Sequence, residues 1–213
     1  MANIIVFGAG GRAGKQVVAE AARRGHQVTA VVREPAKYAD YAKYAELGAD
    51  SVTIVAGDVT DAASVAQLAP GHDAAINAAA GMEPDHFVSA ARALIAGLTA
   101  AGVARLVTVG IGGALEAAPG LPAHDGEGLP EEASSFSRNH AAQLPLLRAS
   151  DLDWVYLAPP LVFLDEGAGT GTYQLGGAQV VPGADKLAYA DLALALVDEA
   201  TAPTRSREVV AVS

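Results

Sequence analysis

The sequence predicts an α/β fold, a doubly wound parallel sheet forming one domain with a small C-terminal lobe. Three observations carry this. Short, continuously apolar strand patterns alternate with helix patterns along the first half of the chain. Strands covered by helices on both faces read this way, whereas a sheet with one wet face alternates apolar and polar residues. The first strand pattern runs into a glycine-rich turn, Gly8-Ala9-Gly10-Gly11-Arg12-Ala13-Gly14, which opens directly into a helix pattern. The length, 213 residues, fits one large α/β domain, and a chain of that size buries enough surface to need no staple.

The elements follow in order. Asn3 to Phe7 is a β-branched apolar run ended by glycine. Arg12 to Arg24 repeats Val17, Val18, Ala21 and Ala22 on one face and stops at Gly25, so it reads as a helix. Gln27 to Val32 is the second strand, and Pro35 to Leu47 a polar helix stopped by Gly48. Val52 to Ala56 is the third strand. Asp61 to Leu68 is a short helix with Asp61 as its N-cap. Ala74 to Asn77 is the fourth strand, Asp85 to Ala101 a long helix ending at Gly102, and Arg105 to Val109 the fifth strand. Right-handed crossovers between such strands give the doubly wound order. Beyond it, Gly110 to Pro130 reads as a long surface loop and Glu131 to Ser150 as one helix with Pro145 awkwardly inside. Trp154 to Leu157 is a sixth strand, Pro159 to Val181 mostly loop, Tyr189 to Ala200 a helix, and Glu208 to Val212 a closing strand. Residues 1–110 read as the nucleotide-binding half and 111–213 as substrate-lobe loops and closing strands.

Composition narrows the function. There is no cysteine, which excludes a disulfide scaffold, a thiolate metal site and a cysteine nucleophile and fits a cytoplasmic protein. No signal peptide and no membrane span are expected. The net charge of −10 argues against nucleic-acid binding. No His/Asp/Glu spacing suggests a metal. The expected partner is a small-molecule substrate, and the chain is expected to be a monomer or a homodimer.

The glycine turn sits between a strand and a helix, the context that binds a dinucleotide in a Rossmann fold. Gly8 permits the tight turn, Gly11 lets backbone approach a pyrophosphate, and Gly14 lets the helix pack on the sheet. Gly10 and Ala13 complete the loop, and the pyrophosphate is expected at the helix N-terminus. Dinucleotide sites distinguish NAD from NADP at the end of the second strand, where an acidic residue holds a ribose 2′-OH. Here that place holds Arg33, 19 positions after Gly14. A guanidinium suits a 2′-phosphate, and Arg12 is expected to reach the same group. NADP is therefore the expected cofactor, with NAD the alternative because Glu34 could hold a 2′-OH. Asp58 and Val59 are expected at the adenine, although Asp58 reads equally well as a turn residue. Ala78, Ala79, Ala80 and Gly81 would let the cofactor pass close to backbone.

These segments resemble a known superfamily. The glycine turn, Gly25-His26 through Arg33, and Gly57-Asp58-Val59-Thr60-Asp61 are similar to those of atypical short-chain dehydrogenase/reductases. Within it, Leu147 to Trp154, Ala158-Pro159-Pro160, Gly169-Thr170-Gly171-Thr172-Tyr173 and Ala190-Asp191-Leu192-Ala193 resemble the NAD(P)H-binding branch. That branch includes NADH-flavin reductases and flavin/biliverdin reductase B-like proteins. The resemblance implies an NAD(P)H-dependent oxidoreductase acting on a flavin or quinone-like acceptor. The chain departs from the superfamily: no tyrosine is followed by a lysine four positions later, so the usual Tyr-x-x-x-Lys pair is missing. Leu161 stands where relatives often carry a histidine, and Thr108 is the only hydroxyl near the end of the fifth strand.

Two residues are candidates for catalysis. His140 lies on the helix that usually carries the missing pair, and its ordinary pKa suits proton transfer. Tyr173 lies in a segment that, by the resemblance, lines the substrate pocket, where a phenol ring could stack on a flat substrate. His124 could close over a substrate, His26 and His72 read as structural, and His86 as a residue of a pocket rim or dimer face. Two alternatives stand beside the reductase: a non-catalytic NADP(H) sensor, as in relatives resembling nitrogen-repression regulators, and a tailoring reductase or epimerase using His140.

Overall fold

A computed structural model describes residues 1–38 and 51–213. Seven parallel strands form one sheet: β1 (Asn3–Phe7), β2 (Gln27–Val32), β3 (Val52–Ala56), β4 (Ala74–Asn77), β5 (Arg105–Val109), β8 (Asp153–Ala158) and β9 (Glu208–Ala211), ordered β3-β2-β1-β4-β5-β8-β9. The first five strands match the expected bounds. Strand order reverses at β1, which pairs with β2 on one side and β4 on the other. In register, Phe7 lies level with Val31 and Asn77, Asn77 with Thr108, and Val109 with Leu157, so these strands end along one edge.

Alternation along the strands divides the core into two layers. Ile4 and Val6 join Val155, Leu157, Val17 and Val18 on one face, under α1 (Arg12–Arg23) and α6 (Tyr189–Thr201). Ile5 and Phe7 join Leu106, Trp154 and Tyr156 on the other, under α2 (Ala62–Leu68), α3 (His86–Ala101) and α5 (Leu144–Ala149). Each fully buried Leu, Ile or Val contributes about 2 kcal/mol of transfer free energy, so the apolar runs read from the sequence carry both layers. Helix ends behave as expected. The Asp61 carboxylate accepts the Ala63 N–H at 2.9 Å, and Gly102 ends α3 in the left-handed conformation. The helix expected from Pro35 to Leu47 falls largely outside the described residues.

Two expectations are corrected in the second half. Residues 131–150 form two helices, α4 (Glu131–Ala141) and α5, with Pro145 in the first turn of α5. There its missing N–H costs nothing, because first-turn N–H groups have no helical acceptor. The segment from Gly110 to Pro130 is not a plain surface loop. It holds 3-10 turns at Gly112–Ala114 and Ala123–Asp125 and a small antiparallel hairpin of β6 (Glu116–Ala118) and β7 (Leu121–Pro122). Leu115, Ala123 and His124 are buried within it.

The Gly-Thr-Gly-Thr-Tyr and Ala-Asp-Leu-Ala motifs prove to be one device. The buried Asp191 carboxylate accepts the N–H groups of Thr170 and Gly171. Gly169 has φ +74° and sits against that carboxylate, where a Cβ would collide. Tyr173, beyond it, packs on the α1–α6 layer and donates its hydroxyl to Asp198 at 2.6 Å.

Candidate functional site

A cleft of about 1400 Å³ follows the strand ends where the order reverses, the place where open α/β sheets bind ligands. Gly8 turns at φ +74° and rests on the backbone of Ala78 and Ala79, leaving no room for a Cβ. Gly14 sits as closely under the Gly8 carbonyl, which brings α1 up beneath the turn. Gly11 caps α1 without any capping side chain. A Cβ added at Gly11 would meet nothing nearer than 3.3 Å, so the space it leaves open belongs to the cleft. The α1 N-terminus thus presents its first-turn amides with no side-chain oxygen competing for them, an arrangement suited to an anion. These features fit the diphosphate of a dinucleotide.

Gly8, Gly10, Gly11, Arg12, Ala13, Arg33, Asp58, Val59, Ala78, Ala79 and Ala80 all line the cleft. Gly14 and Gly81 stand just outside it: Gly14 under the turn, Gly81 against the His86 ring. Glu34 is paired with Lys37 at 2.7 Å, while Arg33 is exposed and forms no ion pair among the described residues. Asp58 takes the turn role. Its Oδ1 accepts the N–H and the hydroxyl of Thr60 at 2.8 and 2.7 Å. Those bonds hold its carboxyl below the ordinary value, with help from the charges of Arg33 and His86. The contacts of Arg12 are with the C-terminal lobe. Its guanidinium is 3.7 Å from Glu166 and 5.3 Å from the centre of the Tyr189 ring. Both arginines nonetheless line the cleft.

The far end of the cleft is apolar. Pro159, Pro160, Leu161, Val162 and Phe163 follow β8 and line it beside Phe136 of α4. Phe163 is fully exposed, and Met82, another lining residue, is 86% exposed. Tyr38 also lines the cleft, its hydroxyl lying where a Gly10 Cβ would be. Nothing in the sequence pattern marked Tyr38 or Met82 as cleft residues.

His140 faces this end but is buried. Burial, with the charge of His86 adding to it, pushes its pKa down to about 3. It is a neutral imidazole at physiological pH, not the proton donor expected from its ordinary pKa. Tyr173 lies outside the cleft, and its pKa is raised, first by burial and then by its bond to Asp198. It is therefore a packing residue, correcting its assignment as catalytic. His124 is buried, and neither it nor Thr108 lines the cleft. His26 accepts the Ala2 N–H, and His72 bridges Ala69 and Thr29, both structural roles. His86 stands on the rim. Among the described residues no group of three acidic or histidine side chains could hold a metal, and no helix is long and apolar enough to cross a membrane.

Comparison with known proteins agrees with this geometry. The profile of the NAD(P)H-binding family matches residues 8–203. The chain belongs to the NAD(P)H-binding family. Within reach of that family, the uncharacterized protein YwnB of Bacillus subtilis is 34% identical over 212 residues, covering 97% of this chain and 95% of YwnB. A Burkholderia pseudomallei protein provisionally named as exported superposes with TM-score 0.86 at 34% identity, covering 100% of both chains. A Streptococcus pneumoniae protein provisionally named as an NADH-flavin reductase superposes with TM-score 0.81 at 28% identity, covering 100% of this chain and 99% of that one. ChuY, named as an anaerobilin reductase of Escherichia coli O157:H7, superposes with TM-score 0.74 at 27% identity, covering 99% and 96%. The resemblance to the NAD(P)H-binding branch of atypical short-chain dehydrogenase/reductases is thereby borne out, and a nicotinamide cofactor is the family's ligand.

Proposed function

We propose that this protein is an NADPH-dependent reductase of a small planar acceptor, a flavin or quinone. One observation carries the reading. The cleft is polar and cationic where the glycine turn and Arg33 lie, and apolar and aromatic where Phe136, Pro159, Pro160 and Phe163 lie. A bound reduced nicotinamide supplies a hydride. Transfer to an electron-poor ring needs stacking at contact distance, and an apolar wall favours that geometry while excluding water. Alcohol dehydrogenation would need a positioned base, and His140 at this end is buried, with its proton affinity pushed far down by that burial. The names borne by the Streptococcus protein and by ChuY point the same way.

In this reading Gly8, Gly10, Gly11 and Ala13 surround the diphosphate and Gly14 seats the helix. Arg12 serves the diphosphate and Arg33 the 2′-phosphate. Val59 packs on the adenine, beside the turn that Asp58 holds. Ala78 to Gly81 pass beneath the ribose and nicotinamide. Residues 1–110 supply the nucleotide half, and the lobe drawn from 111–213 supplies the acceptor wall. NADP is favoured over NAD because Arg33 has no ion pair among the described residues while Glu34 is held by Lys37. The test is to follow loss of reduced nicotinamide with NADPH or NADH and riboflavin, FMN or menadione. Faster oxidation of NADPH with at least one acceptor supports the reading. Tight NADPH binding with no oxidation by any acceptor would replace it with the sensor reading.

A further inference from the structure

Tyr156 stands behind His140, the buried imidazole that lines the cleft. Tyr156 sits on β8 with no exposure to solvent. Its hydroxyl oxygen accepts the Ile111 N–H at 3.1 Å. Its own proton is then free for the neighbour 2.7 Å away, which is Nδ1 of His140. The Gln143 side-chain amide points at the same Nδ1 from 3.2 Å while donating to the His140 carbonyl at 2.8 Å. Two donors aimed at one ring nitrogen leave it only the acceptor role, so the proton of a neutral imidazole must be on Nε2. Nε2 has no hydrogen-bond partner among the described residues, yet it is not among the side-chain nitrogens fully sealed from solvent. His140 lines the cleft, and Nε2 is the ring nitrogen that the Tyr156 and Gln143 donors leave for it.

The ring is also held in place. Phe87 lies against it with centroids 4.0 Å apart, and Tyr156 and Phe136 meet it edge-on. Gly110 supports this, because a Cβ there would strike the Tyr156 ring. Among the described residues the titratable groups facing the imidazole are Tyr156 and His86.

We propose that Tyr156 is a positioning residue that fixes His140 as its Nε2–H tautomer, and that this N–H donates a hydrogen bond to a carbonyl oxygen or ring nitrogen on the acceptor's edge. The proposal rests on the reductase reading for the identity of the acceptor. Hydride arrival places a negative charge on the conjugated acceptor atom. The Nε2–H stabilises that charge without giving up its proton, since loss would leave an imidazolate. Water then protonates the reduced acceptor, so that NADPH, a proton and the oxidised acceptor become NADP+ and the dihydro acceptor. The acceptor class is thereby narrowed to flat rings that carry a hydrogen-bond acceptor in the plane, as quinones and isoalloxazines do.

Two measurements test it. Nitrogen NMR of histidine-labelled protein without ligand should show His140 with a protonated Nε2 and a bare Nδ1 from pH 5 to pH 8. In a Tyr156→Phe variant, where only the longer Gln143 contact remains at Nδ1, an Nδ1–H form should appear beside the Nε2–H one, and a spectrum unchanged from wild type would remove Tyr156 from the positioning role. An Nδ1–H tautomer or a cationic ring in the wild type would overturn the proposal. Riboflavin binding to the NADP+-loaded protein, read from quenching of flavin fluorescence, should weaken about 3- to 10-fold in His140→Ala, the worth of one hydrogen bond. It should recover in His140→Gln, which keeps an N–H donor. Equal binding in wild type and His140→Ala would sink the proposal while leaving the reductase reading intact. Weaker binding in His140→Ala with no NADPH oxidation by any acceptor would keep the hydrogen bond and sink the reductase reading. If Tyr156→Phe does not fold, the wild-type tautomer and the two His140 variants decide the matter alone.

Discussion

Asp191 binds the backbone of Thr170: its two carboxylate oxygens lie 3.0 and 2.9 Å from the Thr170 nitrogen, and Oδ1 also accepts the Gly171 N–H at 2.8 Å. A buried carboxylate at the start of α6 thus replaces the missing secondary structure of a glycine-rich loop. Asp191→Ala leaves those N–H groups without an acceptor and is expected to cost about 2–3 kcal/mol of stability. Asp191→Asn keeps one acceptor oxygen and should cost less. Urea unfolding of the three proteins checks the order. Affinity for NADPH should not change, because residues 169–173 do not line the cleft.

Arg33 is the residue on which cofactor choice turns in the proposed reading. A guanidinium on a 2′-phosphate makes charge-assisted bonds that NADH cannot use. Arg33→Ala should weaken NADPH binding about 10- to 100-fold and leave NADH nearly unchanged. Trp154 is buried and does not line the cleft, so the titration is best read from the cofactor's own fluorescence. Equal losses for the two cofactors would remove Arg33 from the 2′-phosphate.

The strands and the glycine turn were legible because their causes are local. A strand covered on both faces is apolar along its length, as Asn3–Phe7 shows, and a turn at positive φ needs glycine, as Gly8 does. The side of the sheet on which Tyr173 would fall was not legible. Its hydroxyl partner, Asp198, is 25 residues away on α6, a contact no local pattern encodes. The same holds for His140, whose tautomer is set by Tyr156 from a strand 16 residues later. Arg12 lines the cleft, but its direction depends on Glu166 and Tyr189, contributed by the far end of the chain. Pro145 stands in the first turn of α5 and not at a kink within one helix, and the sequence alone does not show this, because a proline marks a break without saying which side of it begins the next helix.

Arg105 and Glu199 form a buried pair at the other edge of the sheet. Arg105 Nη2 donates to Glu199 Oε2 at 2.8 Å, with Asp153 3.0 Å from Nη1. Glu199 also accepts the N–H groups of Thr204 and Arg205. Removing one partner strands the other charge away from water. Glu199→Ala is therefore expected to cost about 3–5 kcal/mol, and an Arg105→Met, Glu199→Leu double variant markedly less. Arg105 begins β5, so the strand ends that form the cleft lie away from the change. Unfolding measurements should show the loss while cofactor affinity in the folded protein is retained.

The neutral state of His140 links stability to pH. Its pKa is near 3 in the folded protein and about 6.5 in an unfolded chain. Between those values the unfolded chain binds a proton that the folded protein does not. Stability from this group is therefore complete above about pH 6.5 and falls as pH drops toward the folded value, by about 1.4 kcal/mol per pH unit. Carboxylates titrate over part of the same range, so the comparison is made between wild type and His140→Gln, which share them. From pH 7 to pH 5 the wild type should lose about 2 kcal/mol more unfolding free energy than the variant. If the two lose stability in parallel, the imidazole takes up its proton in the folded state as readily as in water. The bond from the Tyr156 hydroxyl to Nδ1 would then be absent in solution.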